Sequence, residues 1–191
     1  MNAARQTHDV CPWWQAYFFD NPLRRLFHSP RKLFADYLSE GMTAVDIGCG
    51  MGFFSISMAK IVNELGKILA IDIQPQMLTV LRRRAERAGV SQIIDTHQSS
   101  RERIIPPVRA DFVLLFWAMH EIPDTDFLSR EISEILNPGG FCFIAEPAFH
   151  VNVPDFVSQI RIIEKEGLKE VARPQVAFSR ATVLIKPTDL K

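Results

Sequence analysis

The stretch Val45-Asp46-Ile47-Gly48-Cys49-Gly50-Met51-Gly52-Phe53-Phe54 decides the fold. It starts in an apolar run of strand length and ends in the opening of an amphipathic helix. Glycines at 48, 50 and 52 let the backbone turn sharply between the two, and let a ligand approach the main chain without meeting a Cβ. In open α/β sheets ligands lie beyond the carboxyl ends of the strands, so this turn marks the expected ligand edge. A tight turn serving no ligand is the plain alternative. Asp46, set directly before three alternating glycines, argues against it.

Outward from this turn, short apolar runs alternate with longer helical patterns. The runs predict strands at 43–47, 67–72, 91–97, 110–117 and 140–146, and the patterns predict helices at 52–64, 75–88, 124–136 and 154–166. Strands separated by helices imply βαβ crossovers, hence parallel strands with helices on both faces. Phe112-Val113-Leu114-Leu115-Phe116 lacks polar alternation, as a central strand buried on both faces should. Upstream, Ser29-Pro30 opens a helix with Leu33, Phe34, Tyr37 and Leu38 on one face, and Gly41 stops it. Residues 98–109, with Pro106 and Pro107, read as loop. The tail breaks the rhythm: 168–173 and 176–185 read as two strands joined around Pro174, an antiparallel end to the sheet. No repeat or linker divides the chain, which predicts one α/β domain over residues 1–191, with 1–29 an aromatic extension or lid.

Composition narrows the function classes. The 191 residues carry 22 basic and 22 acidic side chains, so no excess of cations is available for broad capture of nucleic acid. Hydrophobic residues at 47% and charged residues at 23% match a folded soluble chain and exclude a disordered one. Cys11, Cys49 and Cys142 are too few and too scattered for a disulfide framework or a metal cluster, which points to reduced thiols and no bound metal. With no signal peptide and no apolar run of membrane length, the expected location is the cytoplasm.

The ligand follows from what surrounds the glycines. A dinucleotide fingerprint would need glycine at position 53, where this chain has Phe53, and no lysine-bearing phosphate loop is present. Asp46 would repel a pyrophosphate and favour a cation. Asp72 ends the next strand, 20 residues after Gly52, where a carboxylate can accept hydrogen bonds from the two hydroxyls of a ribose. The alternative reading of Asp72 is a helix cap before Pro75; the glycine turn beside it favours the ribose.

Together these features resemble the class I S-adenosylmethionine-dependent methyltransferases. The resemblance rests on VDIGCGMGFFS (45–55), LAIDIQPQML (69–78), ADFVLLFWAMHEI (110–122) and LNPGGFCFIAEP (136–147), in the family's order and spacing over residues 30–186. It implies a three-layer Rossmann-like fold, with seven strands in the order 3-2-1-4-5-7-6 and the seventh antiparallel. It implies that Gly48, Cys49, Gly50 and Gly52 cradle the amino-acid end of S-adenosylmethionine and that Asp46 receives its amino group. Asp72 would hold the ribose, Ile73 and Met77 would flank the adenine, and Phe116 and Trp117 would lie beside the methionine end and face the substrate. Relatives often place an acid after the third strand for the adenine; this chain has Gln98-Ser99-Ser100 there, so Ser99 or a backbone group takes that contact.

On the substrate side, His120 follows the fourth strand and is the candidate general base; its alternative role is a hydrogen bond to cofactor or loop. Glu146 and His150 at the end of the fifth strand either line the pocket or are solvated loop groups. Trp13 and Trp14, with Phe18, either lid the site or pack on the sheet. Arg82-Arg83-Arg84 and Arg87 read as the solvated face of helix 75–88. The expected activity is methyl transfer to a small-molecule acceptor, leaving S-adenosylhomocysteine. The alternatives are a methyltransferase acting on RNA or protein, and a non-catalytic cofactor-binding module.

Overall fold

The computed structural model describes residues 27–100 and 102–188. Strand β1 (Thr43–Ile47) runs into the glycine turn and helix α2 (Phe53–Val62), after a short opening helix α1 (Pro30–Phe34). There follow β2 (Lys67–Asp72), α3 (Pro75–Ala88), β3 (Ile94–Gln98), β4 (Ala110–Phe116), α4 (Thr125–Ile135), β5 (Leu136–Pro147), α5 (Val153–Lys165), β6 (Lys169–Ala172) and β7 (Ser179–Ile185). The seven strands form one sheet in the order β3-β2-β1-β4-β5-β7-β6. Neighbours from β3 to β5 pair in parallel, and β7 is antiparallel to both β5 and β6. The fold class read from the sequence is the fold observed.

The side chains of β4 alternate between two cores. Phe112, Leu114 and Phe116 face α1, α2 and α3, where Phe34, Phe54, Met58 and Leu81 fill the layer. Val113 and Leu115 face α4 and α5, against Leu128, Ile132, Phe156 and Ile163. A strand covered on both faces has no solvent side, which is why its sequence shows no alternation.

The boundaries differ from the expected ones where local hydrogen bonds intervene. Helix α1 is a single regular turn and does not continue to Gly41; past Phe34 only the Tyr37 and Leu38 amides still reach the Phe34 carbonyl. Ser29 takes the cap position, but its side chain makes no capping bond. Strand β3 starts three residues later than expected, because Val90–Ile93 turn after the left-handed Gly89 that ends α3. Strand β5 starts earlier: α4 passes straight into it, Leu136 pairs with Ala110, and the Asn137 amide donates to Asp111 at 2.8 Å. Among the described residues no helix is long and apolar enough to cross a membrane. Trp13, Trp14, Phe18 and Cys11 lie outside the described residues.

Candidate active site

The carboxyl ends of β1, β2, β4 and β5 and the amino end of β7 share one edge of the sheet. At its centre lies the glycine turn. Gly48, Gly50 and Gly52 all have positive φ (72°, 53° and 84°), a region where L side chains are strained. They differ in what a side chain would meet. A Cβ on Gly48 would lie 2.5 Å from the Cβ of Ala118, and one on Gly52 would lie 2.7 Å from Leu81, whereas one on Gly50 would meet nothing within 4 Å. Packing therefore demands glycine at 48 and 52, while Gly50 borders open space. That opening is where a ligand can approach the backbone.

Two acids flank the turn. Asp46 is 2% exposed and accepts a hydrogen bond from Ser55 on α2, so it sits behind the glycines. Asp72 accepts from the Gly50 amide through Oδ2 and from the Gln74 amide through Oδ1, both at 2.9 Å. The first of these bonds ties the end of β2 to the turn after β1. Burial raises the Asp72 carboxyl above its ordinary range, against backbone N–H groups of Gln74, Gly50 and Ile73 that pull it down. Each of its oxygens retains acceptor capacity, as a ribose diol requires.

The other expected cofactor residues fall around this turn. Met77 is buried and Ile73 is half exposed beside Asp72. Ser99 is fixed by its amide to the Asp72 carbonyl at 3.1 Å, and the Gln98 side chain donates to the Ile73 carbonyl. Phe116 stacks against Phe54 with ring centroids 4.3 Å apart. The Cys49 thiol is buried, and burial pushes its pKa well up with Asp46 and Asp72 adding to the effect, so it stays protonated. Cys142, wholly buried in β5, is raised for the same reason of burial.

Trp117 follows directly on the end of β4. Its φ of 61° turns the chain out of β4, and its indole N–H donates to Ser179 Oγ at 2.8 Å, across β5 on the side away from β1. The ring joins His28, Phe116 and Phe149, with centroids 5.7–5.9 Å away.

Past Trp117 the chain makes one 3₁₀ turn, Met119–Glu121, which carries His120 to Glu146 at the end of β5. Glu146 is fully buried and does not line an open pocket. One of its oxygens accepts from the Met119 amide at 3.0 Å; the other accepts from the His120 amide at 3.3 Å and lies 2.5 Å from His120 Nδ1. Burial pulls the His120 pKa down, but the hydrogen bond and charge of Glu146, with the charge of Glu121, outweigh it and leave the imidazole raised. His150 is exposed, its ring centroid 4.9 Å from that of His120.

Several contributors were not singled out in the sequence. Ser55 lies inside the quoted motif, one helical turn past the glycines, so its spacing could have marked it. Arg84, expected on a solvated face, instead donates to the Met51 carbonyl and steadies the glycine turn from α3. His28 and Ser179, remote in sequence, gave no signal; His28 is buried with Nε2 2.9 Å from the Ala177 carbonyl.

Comparison with known proteins agrees with this geometry. The family described as "Methyltransferase domain" matches residues 38–178. Demethylmenaquinone methyltransferase of Bacillus licheniformis is 30% identical over 101 residues, covering 53% of this chain and 43% of that enzyme; that of Oceanobacillus iheyensis is 27% identical over 100 residues, covering 52% and 42%. The chain thus spans under half the length of these curated relatives. A SAM-dependent methyltransferase from Aquifex aeolicus superposes with a TM-score of 0.82 over 93% of this chain and 100% of that one, at 22% identity. The [4+2]-cyclase SpnF shares the fold at a TM-score of 0.70 and 14% identity, covering 84% of this chain and 81% of that one. With the glycine turn, the flanking acids and the strand order all in place, the chain belongs to the methyltransferase-domain family, with the fold of the class I S-adenosylmethionine-dependent methyltransferases.

Proposed function

We propose that the protein transfers the methyl group of S-adenosylmethionine to a small-molecule acceptor. The observation that carries this reading is the pairing of an open Gly50 with Asp72, whose carboxylate is held at the turn by the Gly50 amide. The cofactor is cationic at sulfur and nitrogen and carries a ribose, which suits a site bearing two acids and no phosphate-binding lysine. Gly48, Cys49, Gly50 and Gly52 supply the backbone cradle, and Asp46 with Ser55 supplies negative charge behind it. Asp72 takes the ribose, Ile73, Met77 and Ser99 border the adenine, and Phe116 lies toward the methionine end. Trp117 belongs with the acceptor.

The bound cofactor supplies an electrophilic methyl and its own leaving group. The protein's part is to hold an acceptor atom in line with that methyl and keep water away. The acceptor is proposed to lie over β4, β5 and the start of β7, where Trp117 stands edge-on to Phe149 and His120 edge-on to His150. The curated relatives named for demethylmenaquinone agree with a small acceptor, although the chain spans under half their length. Two measurements test the reading. Titration calorimetry should show binding of S-adenosylhomocysteine, and tight NAD binding in its place would refute it. Radiolabelled methyl donor incubated with a fractionated cell extract should deliver label to the small-molecule fraction; label confined to RNA or protein would overturn the acceptor class.

A further inference from the structure

Loop 98–109 is tied to α4 by two charged side chains, and each uses only part of its bonding capacity. Glu131 is 8% exposed and accepts the Ile104 and Ile105 amides, both at 3.1 Å, through the same oxygen, Oε2. No described residue donates to its Oε1. Arg109 donates from Nη1 to the Glu134 carbonyl at 2.9 Å, which fixes its guanidinium against the end of the helix. Its Nε–Nη2 edge makes no bond to a described residue. Both side chains line one cleft of about 540 Å³ between the loop and α4. That size lies in the ~300–1,000 Å³ range of small-molecule sites.

The cleft is balanced in charge. Arg103 lines it beside Arg109, and Glu134 beside Glu131, while its other described lining residues are apolar, Pro106 and Pro107 among them. Such a lining has no net attraction for an anion or a cation alone, and it matches a molecule that carries one charge of each sign. The open oxygen of Glu131 calls for an N–H or O–H donor, and the open edge of Arg109 accepts a carboxylate in bidentate fashion. Arg109 directly precedes β4, and Ile135 of the lining directly precedes β5. The cleft therefore lies toward the amino ends of these strands. The glycine turn lies at the opposite edge, with the seven residues of β4, a length of ~20 Å, between the two.

We infer that this cleft is a second ligand site, separate from that of the methyl donor, and that it takes a small apolar zwitterion with a free ammonium and a free carboxylate. The ammonium donates to Glu131 Oε1, the carboxylate lies on the Nε–Nη2 edge of Arg109, and the apolar body rests on Pro106 and Pro107. Neither charged group needs reorienting on binding, because its other half already holds it in place, which lowers the cost of association. An amino acid and a dipeptide share this chemistry and differ in how far apart they carry the two charges. The inference does not depend on the methyl-transfer reading above.

The experiment is an NMR titration of the full ¹⁵N-labelled chain, with S-adenosylhomocysteine present so that a cofactor subsite for amino acids is closed to the probe. The probes are L-phenylalanine and glycyl-L-phenylalanine, set against 3-phenylpropionate, which lacks the ammonium, and phenethylamine, which lacks the carboxylate. At least one zwitterion should bind saturably and shift the Ile104, Ile105 and Val108 amides. Each singly charged analogue should bind ~10- to 100-fold more weakly, the worth of one charge-assisted bond. In Glu131→Gln the side-chain carbonyl can still accept the two loop amides, but an NH₂ replaces the open oxygen. This variant should lose ~10-fold or more on the zwitterion and nothing on 3-phenylpropionate. Arg109→Lys should weaken the zwitterion and 3-phenylpropionate and leave phenethylamine unchanged. The comparison of the four probes on wild type needs no variant, so it stands even if a substitution unfolds the loop. The inference is overturned if neither zwitterion binds, or if the analogues bind as tightly. Shifts centred on residues 48–52, or an equal loss on every probe in Glu131→Gln, would also overturn it.

Discussion

At the residue scale, Gly48 and Gly50 separate folding from binding. Both have positive φ, but only Gly48 is pressed against a neighbour, with Ala118 within 2.5 Å of a would-be Cβ. Gly48→Ala should therefore lose ~3 kcal/mol or more of stability, combining a strained backbone with overpacking, read from a urea midpoint. Gly50→Ala should cost only the ~1–2 kcal/mol of the left-handed backbone, yet lose S-adenosylhomocysteine binding in calorimetry. Asp72 gives a pH prediction. Its carboxyl is raised by burial, and the ionised form is the better acceptor for ribose hydroxyls. Affinity should thus be full above the raised pKa and decline as pH falls through it, at a milder acidity than the ~3.9 of an ordinary aspartate. Asp72→Asn should bind ~10- to 100-fold more weakly, from the loss of charge-assisted bonds worth ~1.5–3 kcal/mol each; the low-pH decline should vanish from its titration.

At the element scale, the sequence was most legible where one physical cause acts alone. The glycine turn and the acid at the end of β2 could be read because backbone geometry and charge impose them locally. The direction of β7 was legible because two short runs around Pro174 leave no room for a crossover helix. The left-handed backbone of Trp117 could not be read, because its amide bonds Ala145 and its indole bonds Ser179, partners that the local sequence does not encode. The His120–Glu146 bond lies between these cases: adjacent parallel strands bring the two residues to one edge, but the intervening 3₁₀ turn decides which faces which. Loop 98–109 shows the same dependence on a distant partner. Glu131 on α4 accepts the Ile104 and Ile105 amides, both at 3.1 Å, and so pins a stretch with two prolines. Glu131→Ala should cost ~2 kcal/mol by leaving buried donors unmet. Hydrogen exchange at those two amides should accelerate while S-adenosylhomocysteine binding is kept.

At the scale of the whole molecule, the sheet is shared between its two cores, since β4 alone contributes Phe112 to one and Leu115 to the other. Loss of either layer removes the support of the same strand. Phe112→Ala should cost ~3–5 kcal/mol and Leu115→Ala ~2–5 kcal/mol as cavities open in close packing. Each variant should still melt in one transition by calorimetry and by circular dichroism; two separated transitions in either would show that the layers are independent units. The even balance of 22 basic and 22 acidic residues also has a local pattern, with acids gathered behind the glycine turn and Arg82, Arg83 and Arg87 exposed on α3.

The reversal of β7 has a consequence for how the acceptor half of the site could change. A parallel seventh strand would bring its first residues to the opposite rim. Running backwards, it delivers Phe178 and Ser179 beside Pro147 and Trp117. On the proposed reading the two halves of the site thus come largely from different parts of the chain: most donor contacts from before residue 100, and part of the acceptor side from the hairpin of β6 and β7. Exchange of the segment around 174–180 could retune which molecule is methylated while the machinery that holds the methyl donor is inherited intact.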